Sequence, residues 1–248
     1  MNITSSSSII MRVREFGESD LLITFFTPTE GKIKGVAKGA RRSKARFVNC
    51  LDIFSLVNLE YSLKKKDSLY FIHSGKLLDA FPGLRKDYNT LIKASYMIEL
   101  TEILFPWHLP DRGMFNVLKS CFEIMDKGGN TDMIPVFFEL SAMALGGYGI
   151  NLNKCCVCGR KYTGQGTAVF RPDTGGIACM RCQDITKRTP GLCPETVRTI
   201  NRIQACGLSE DITDNCTSIE FLNEIRPVLK LHREYRLECT PKSSNYIE

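Results

Sequence analysis

Two C-x2-C pairs, Cys155/Cys158 and Cys179/Cys182, stand 20 residues apart in the second half of the chain. Each pair can sit on a tight turn that aims both sulfurs at one centre, and two such turns constrain a fold more than any hydrophobic pattern does. The stretch between them holds Gly164, Gly166, Gly175 and Gly176 and is expected to fold as a short hairpin that brings the turns together. Thiolate is a soft ligand, and four of them suit tetrahedral Zn²⁺ at about 2.3 Å. Such a set leaves no position for water, so the expected ion is structural. Lys154, Arg160, Lys161 and Arg181 flank the ligands and can offset the charge of four thiolates. Cys156 is an alternative to Cys155, although the spacing of the second pair favours Cys155. The competing readings are free core thiols or a redox pair; a lone C-x-x-C would suit them, whereas two pairs at zinc-ribbon spacing favour metal. A deaminase-type zinc site needs His-x-Glu upstream of Pro-Cys-x-x-Cys. Here His232-Arg233-Glu234 lies downstream of both pairs and neither pair follows a proline, which excludes that chemistry.

Eleven cysteines in 248 residues could also indicate a secreted disulfide framework. The odd count, the chain length and the lack of a basic or apolar leader-like run in the first residues argue against it. No stretch approaches the roughly 18 apolar residues of a membrane span. The expectation is a soluble, cytoplasmic protein.

The hydrophobic pattern changes period once. Ile9–Arg14, Leu21–Thr27, Lys32–Ala37, Ile53–Tyr61 and Leu69–Leu77 read as strands, rich in β-branched and aromatic residues. They are separated by turn signals at 16–19 and 27–31 and a charged tip, Lys64–Asp67. The alternation in the fourth run changes phase between Leu56 and Val57, which predicts a bulge. Five short strands within about 70 residues suit a small closed barrel such as an OB-fold. After Phe81-Pro82-Gly83 the apolar residues recur every three or four positions. Helices are expected from Tyr88 to Ile103, from a cap at Asp111 to about Lys127, over Met133–Leu145, over Glu195–Cys206 and over Ile219–Glu238, the last weakened by Pro227. The expected class is therefore α+β: an N-terminal five-stranded OB-fold barrel (1–80), then an α-helical domain (81–248) carrying a four-cysteine zinc finger inserted at 151–190.

The formal charge of +6 is concentrated at the front, where residues 1–80 hold thirteen Lys or Arg against eight Asp or Glu. Within it, residues 32–46 (KIKGVAKGARRSKAR) contain Lys32, Lys34, Lys38, Arg41, Arg42, Lys44 and Arg46 and no acid. A solvated surface loop is the plain reading. The density of cations without acidic relief favours a polyanion, and the seven side chains are expected to meet nucleic-acid phosphates by releasing counterions. Phe16, Tyr61, Tyr70 and Phe71 could add stacking, although Tyr61 and Phe71 fit a core better. No recognition helix stands out, so binding should tolerate any sequence. None of the three histidines sits in a catalytic motif, no phosphate-binding glycine loop is present, and no carboxylate cluster would hold Mg²⁺. The chain reads as a binder and not an enzyme, with an RNA-binding or ribosome-associated zinc-ribbon protein as the alternative.

Several segments together resemble the RecO recombination-mediator family of bacterial DNA repair. They are Gly17-Glu-Ser-Asp20, Thr27–Gly31, Val36–Lys44 with Arg46-Phe47, Tyr96–Leu100, Phe138-Glu-Leu140, Gly147-Tyr148, and Cys155–Gly159 with Gly175-Gly176 and the second cysteine pair. The resemblance implies an N-terminal OB-fold and a helical domain with an inserted zinc finger. It also implies binding of single- and double-stranded DNA, strand annealing, and help in loading recombinase onto strands covered by single-strand-binding protein. The implied partners are RecR and the acidic C-terminal tail of that binding protein, and the implied location is the nucleoid. Leu237–Pro241 departs from the family pattern, so no partner-binding residue is carried over from that end.

Overall fold

A computed structural model of the chain describes residues 2–63, 69–129, 132–182, 189–206 and 218–246; the charged tip expected at Lys64–Asp67 lies outside them. Two compact units emerge, Met1–Gly129 and Asn130–Glu248.

In the first unit, strands β1 (Thr4–Phe16), β2 (Asp20–Thr27), β3 (Gly31–Ala37), β4 (Leu56–Leu63) and β5 (Tyr70–Asp79) close into a barrel in the order β1-β2-β3-β5-β4. Only the β3–β5 pairing in it is parallel. This is an OB-like barrel. Alternation fills its interior with Ile10, Ile23, Phe25, Ile33, Val57, Leu59, Tyr61 and Ile72, all without solvent exposure. Burying each such side chain contributes roughly 1.5–3 kcal/mol. The register slips between Leu56 and Val57, where the sequence changes phase. β1 begins earlier than its apolar run, because Ser5–Ser8 pair antiparallel with Val57, Asn58, Leu59 and Glu60 of β4. Serine carries little strand preference of its own, so the partner strand decides that stretch.

The barrel ends close to the expected boundary at 80, but the compact unit runs on to Gly129 and takes in two helices. Helix α1 (Tyr88–Leu104) starts at Asp87, whose carboxylate accepts from Thr90 N at 2.9 Å. Helix α2 (Arg112–Asp126) starts at Asp111, which accepts from Met114 N at 2.7 Å. Each cap satisfies an amide with no partner inside its helix. The α1–α2 connection passes so close to the β2–β3 turn that a Cβ on Gly31 would fall 1.9 Å from Leu109 O, and Gly31 has φ +67°. Glycine is therefore required there on both counts. The close passage lets His108 N donate to Lys32 O at 3.0 Å and sets Trp107 beside β3.

In the second unit, α3 (Ile134–Leu145), α4 (Pro194–Cys206) and α5 (Ile219–Arg236) pack on one another. Phe137, Phe138, Leu140, Ile200, Ile203, Ile225, Val228 and Leu229 are buried. Helix α5 continues through Pro227. Between α3 and α4 lies a sheet of β6 (Asn151–Cys155), β7 (Ala168–Arg171), β8 (Gly176–Ala178) and β9 (Gly191–Leu192), in the order β6-β8-β7-β9. β7 and β8 form the expected hairpin between the cysteine pairs. Glu139 of α3 and Arg233 of α5 make a buried ion pair at 2.8 Å, their side chains 4% and 5% exposed. Among the described residues, no helix is long and apolar enough to cross a membrane.

Candidate metal centre and nucleic-acid interface

The sulfurs of Cys155, Cys158, Cys179 and Cys182 all lie within 4.8 Å of one another. Cys155 closes β6, and Gly159 N returns to Cys155 O at 3.0 Å to make the first turn. Cys182 N returns to Cys179 O at 2.8 Å to make the second. The β6–β8 pairing sets the two turns face to face. The Cys158 and Cys179 sulfurs are 3.9 Å apart. Four ligands about 2.3 Å from a central ion would be separated by about 3.8 Å along each tetrahedral edge, so the donor set fits a metal ion. Cys156 is exposed and outside the group; its amide donates to Ile177 O, which turns its side chain away.

The thiols do not behave alike in the absence of a cation. Burial pushes the Cys155 thiol up, but backbone N–H groups of Cys158, Cys179 and Val157 outweigh it and bring the pKa down to about 6. Cys182 is pushed up to about 12, chiefly by the sulfurs of Cys179 and Cys158. A cation held there would take all four as thiolates and release any protons they carry. Arg160, Lys161 and Arg181 line the groove beside the sulfurs, where the sequence places compensating charge.

The seven basic residues of 32–46 divide between two places. Lys38, Arg41, Arg42, Lys44 and Arg46 are exposed on the loop that follows β3. The loop's backbone is pinned by the β1–β2 turn: Asp20 accepts from Gly39 N at 2.8 Å, and Arg41 N donates to Ser19 O at 3.1 Å. Arg46 closes the loop on itself, its guanidinium donating to Lys38 O at 2.7 Å and lying over the Phe47 ring. Arg41 meets Glu15 at 3.1 Å, both largely exposed; an ion pair so wetted is weak and screened by salt. The basic loop thus has a held backbone and largely free side chains.

Lys32 and Lys34 lie elsewhere. Lys32 is only 4% exposed, and its ammonium donates to Glu102 O. Burial holds its pKa below the ordinary lysine value, with Glu102 opposing and Arg12 and Lys34 adding to the shift. Lys34 is half-buried, and both ammonium groups lie over the Trp107 ring, at 4.7 and 4.9 Å from its centre. Arg12 and Arg14 share this groove, and Arg12 pairs with Glu102 of α1. Sequence reasoning missed Arg12, Arg14 and Trp107. The signal available was the alternation of two arginines in Ile9–Arg14 and a lone tryptophan between Pro106 and Pro110. Of the aromatic candidates, Tyr61 and Tyr70 belong to the barrel core, Phe71 is half-buried against His73, and Phe16 is 48% exposed.

Comparison with known proteins bears on the whole chain. Residues 1–81 match the family model described as Recombination protein O N terminal, and residues 85–245 match Recombination protein O C terminal. The chain belongs to the RecO family. The DNA repair protein RecO of Syntrophus aciditrophicus is 31% identical over 198 residues, covering 80% of this chain and 76% of that protein. The DNA repair protein RecO of Geobacter metallireducens is 30% identical over 207 residues, 84% and 82% of the two chains. The one from a Thermoanaerobacter species is 26% identical across 100% of this chain and 98% of its own. The relatives are named as DNA repair proteins. In the structure Gly17–Asp20 holds Val36–Lys44 in place, through Asp20 with Gly39 N and Ser19 O with Arg41 N.

Proposed function

We propose that this chain is a non-enzymatic recombination mediator. It binds single- and double-stranded DNA without regard to sequence, promotes annealing of complementary strands, and helps load recombinase onto strands covered by single-strand-binding protein. RecR and the acidic tail of that binding protein are its partners, and it works at the nucleoid in the cytoplasm. In this reading residues 1–80 carry the DNA-binding function, and residues 81–248, with the zinc finger at 151–190, carry architecture and partner surface. The supporting observation is the loop of exposed cations, Lys38, Arg41, Arg42, Lys44 and Arg46, whose backbone the barrel holds still. Cations displayed in this way screen two repelling strands and keep them near each other, which is what annealing requires. Lys34 adds a cation from the strand, and the buried Lys32 supports it. Zn²⁺ is the ion that four thiolates at tetrahedral spacing suit, with Cys155, Cys158, Cys179 and Cys182 as ligands and a structural role.

Fluorescence anisotropy of a labelled single-stranded oligonucleotide over a range of salt tests the DNA reading. The logarithm of affinity should fall linearly with the logarithm of salt. Replacing Arg41 and Arg42 by alanine should weaken binding and flatten that slope by about 0.7 for each phosphate left unneutralised. An unchanged slope would remove both residues from the interface. Preference for an RNA oligomer of the same sequence in competition would favour a ribosome-associated role.

A further inference from the structure

The register of the first three strands gathers four cations around one aromatic ring. Arg12 stands opposite Thr24, and Thr24 opposite Lys34, so the three form a row across β1, β2 and β3 on the outward face. Arg14 lies two residues on, opposite Leu22. Trp107 stands beside this row, and with Lys32 and Glu102 the group encloses a groove of about 270 Å³. Glu102 is the one carboxylate lining it, and Arg12 already engages that carboxylate. None of the ion pairs among the described residues includes Arg14 or Lys34. Trp107 keeps 45% of its surface exposed, although its backbone is tied to β3. A fixed, half-open indole bordered by uncompensated cations is the arrangement that grips a phosphate and stacks the base attached to it.

We propose that this groove is a nucleotide pocket in which a phosphodiester of single-stranded DNA sits on Arg14 and Lys34 while the adjoining base packs on the open side of Trp107. Arg12 and Lys32 are positioning residues, the first anchoring α1 through Glu102 and the second placing its ammonium 4.7 Å from the centre of the Trp107 ring. The proposal deepens the DNA-binding reading and rests on it. A nucleic acid fits better than an acidic peptide because the groove and the basic loop are continuous. β3 leads from Lys34 to Lys38 in four residues, about 13 Å, so one strand of a few nucleotides can meet both. The base must be unpaired, since inside a duplex both faces of every base are already stacked on its neighbours.

The chain has a single tryptophan, so its fluorescence reports on this groove alone. The full-length protein is titrated with an oligothymidylate while tryptophan emission is followed, and in parallel the anisotropy of the same oligomer, labelled, is recorded. Emission should be quenched with the same midpoint as the anisotropy rise. Trp107→Ala should weaken single-strand binding about tenfold, and Trp107→Phe should recover most of that loss, which separates stacking from misfolding. Arg14→Ala with Lys34→Ala should lower the salt slope by about 0.7, the share of the one phosphate they hold. An anisotropy rise with unchanged emission overturns the pocket and leaves DNA binding to the loop. Failure of both signals sinks the DNA reading together with the pocket. Quenching by oligoglutamate where oligothymidylate has no effect assigns the groove to an acidic peptide instead. A relaxed circular duplex, which has no ends, that quenches as deeply as the single strand removes the stacked base.

Discussion

The barrel and the cysteine-bearing sheet reach order by opposite means. The barrel strands run 13, 8, 7, 8 and 10 residues and close on themselves around an apolar interior. The sheet of the second unit has strands of 5, 4, 3 and 2 residues and stays open. Strands so short bury too little to offset the entropy of ordering the long connection between the cysteine turns. An ion held by the four sulfurs, which lie within 4.8 Å of one another, would supply the missing constraint. The second unit also buries Glu139, His232 and Arg233, whereas the interior of the barrel is built from Ile, Phe, Val, Leu and Tyr. A scaffold held by apolar closure can present cations without help from any ion. A scaffold held by metal ligands and buried charge would depend on its metal and on pH.

Metal removal should separate the two regions most sharply. A structural Zn²⁺ in a small domain supplies about 10–16 kcal/mol of binding free energy that is also folding free energy. Purified protein should carry one equivalent of zinc. Chelation or Cys155→Ser should then release amide protection across 151–182 while Ile23, Phe25 and Leu59 of the barrel stay protected in hydrogen exchange. Equal loss of protection in both regions would erase the distinction. A smaller effect, about 3–5 kcal/mol, should follow Glu139→Ala, because it removes the carboxylate that the buried Arg233 guanidinium bonds through both oxygens. Urea unfolding measures it, and replacing both partners by apolar residues of similar volume should recover most of the loss. A single mutant as stable as the parent would mean the pair is solvated in solution.

The smallest expected effect is a pH dependence confined to the second unit. His232 Nε2 donates to Tyr148 O at 2.6 Å, and its Nδ1 is buried with no partner among the described residues. Burial, above all, lowers its pKa from the ordinary 6.5; the Tyr148 carbonyl opposes this and Arg236 adds to it. The unfolded chain therefore takes up a proton below about 6.5 that the folded chain refuses. Stability present above that pH should fall as acidification proceeds toward the folded pKa. The urea midpoint of the parent should drop in that window, and that of His232→Gln should drop less. Identical slopes would show that other groups govern the acid response.

Much of the architecture is legible in the chain. The phase change at Leu56/Val57 marks a real register slip, Asp111 caps α2 as its place before the apolar stripe predicts, and both cysteine turns lie where the spacing places them. Periodicity and capping are local signals, and they survive folding because neighbours in the chain remain neighbours in space. The Ser5–Ser8 stretch is illegible as a strand because its order comes from β4, some fifty residues away. The second unit's dependence on a buried pair is equally hidden, since Glu139 and Arg233 stand 94 residues apart.

By itself the sequence determined the strand and helix content, the cysteine quartet and the concentration of positive charge in residues 32–46. Only the tertiary structure decided what that charge faces. A run of cations has no direction until the barrel closes and α1 packs beside it, which sets Lys32 against Glu102 O, a partner 70 residues away. In the second unit the fold put Cys155 and not Cys156 into the quartet, and in the first Trp107 comes against β3 because Gly31 leaves room for the passing backbone. Side-chain orientation depends on contacts between distant segments, and no local pattern encodes those.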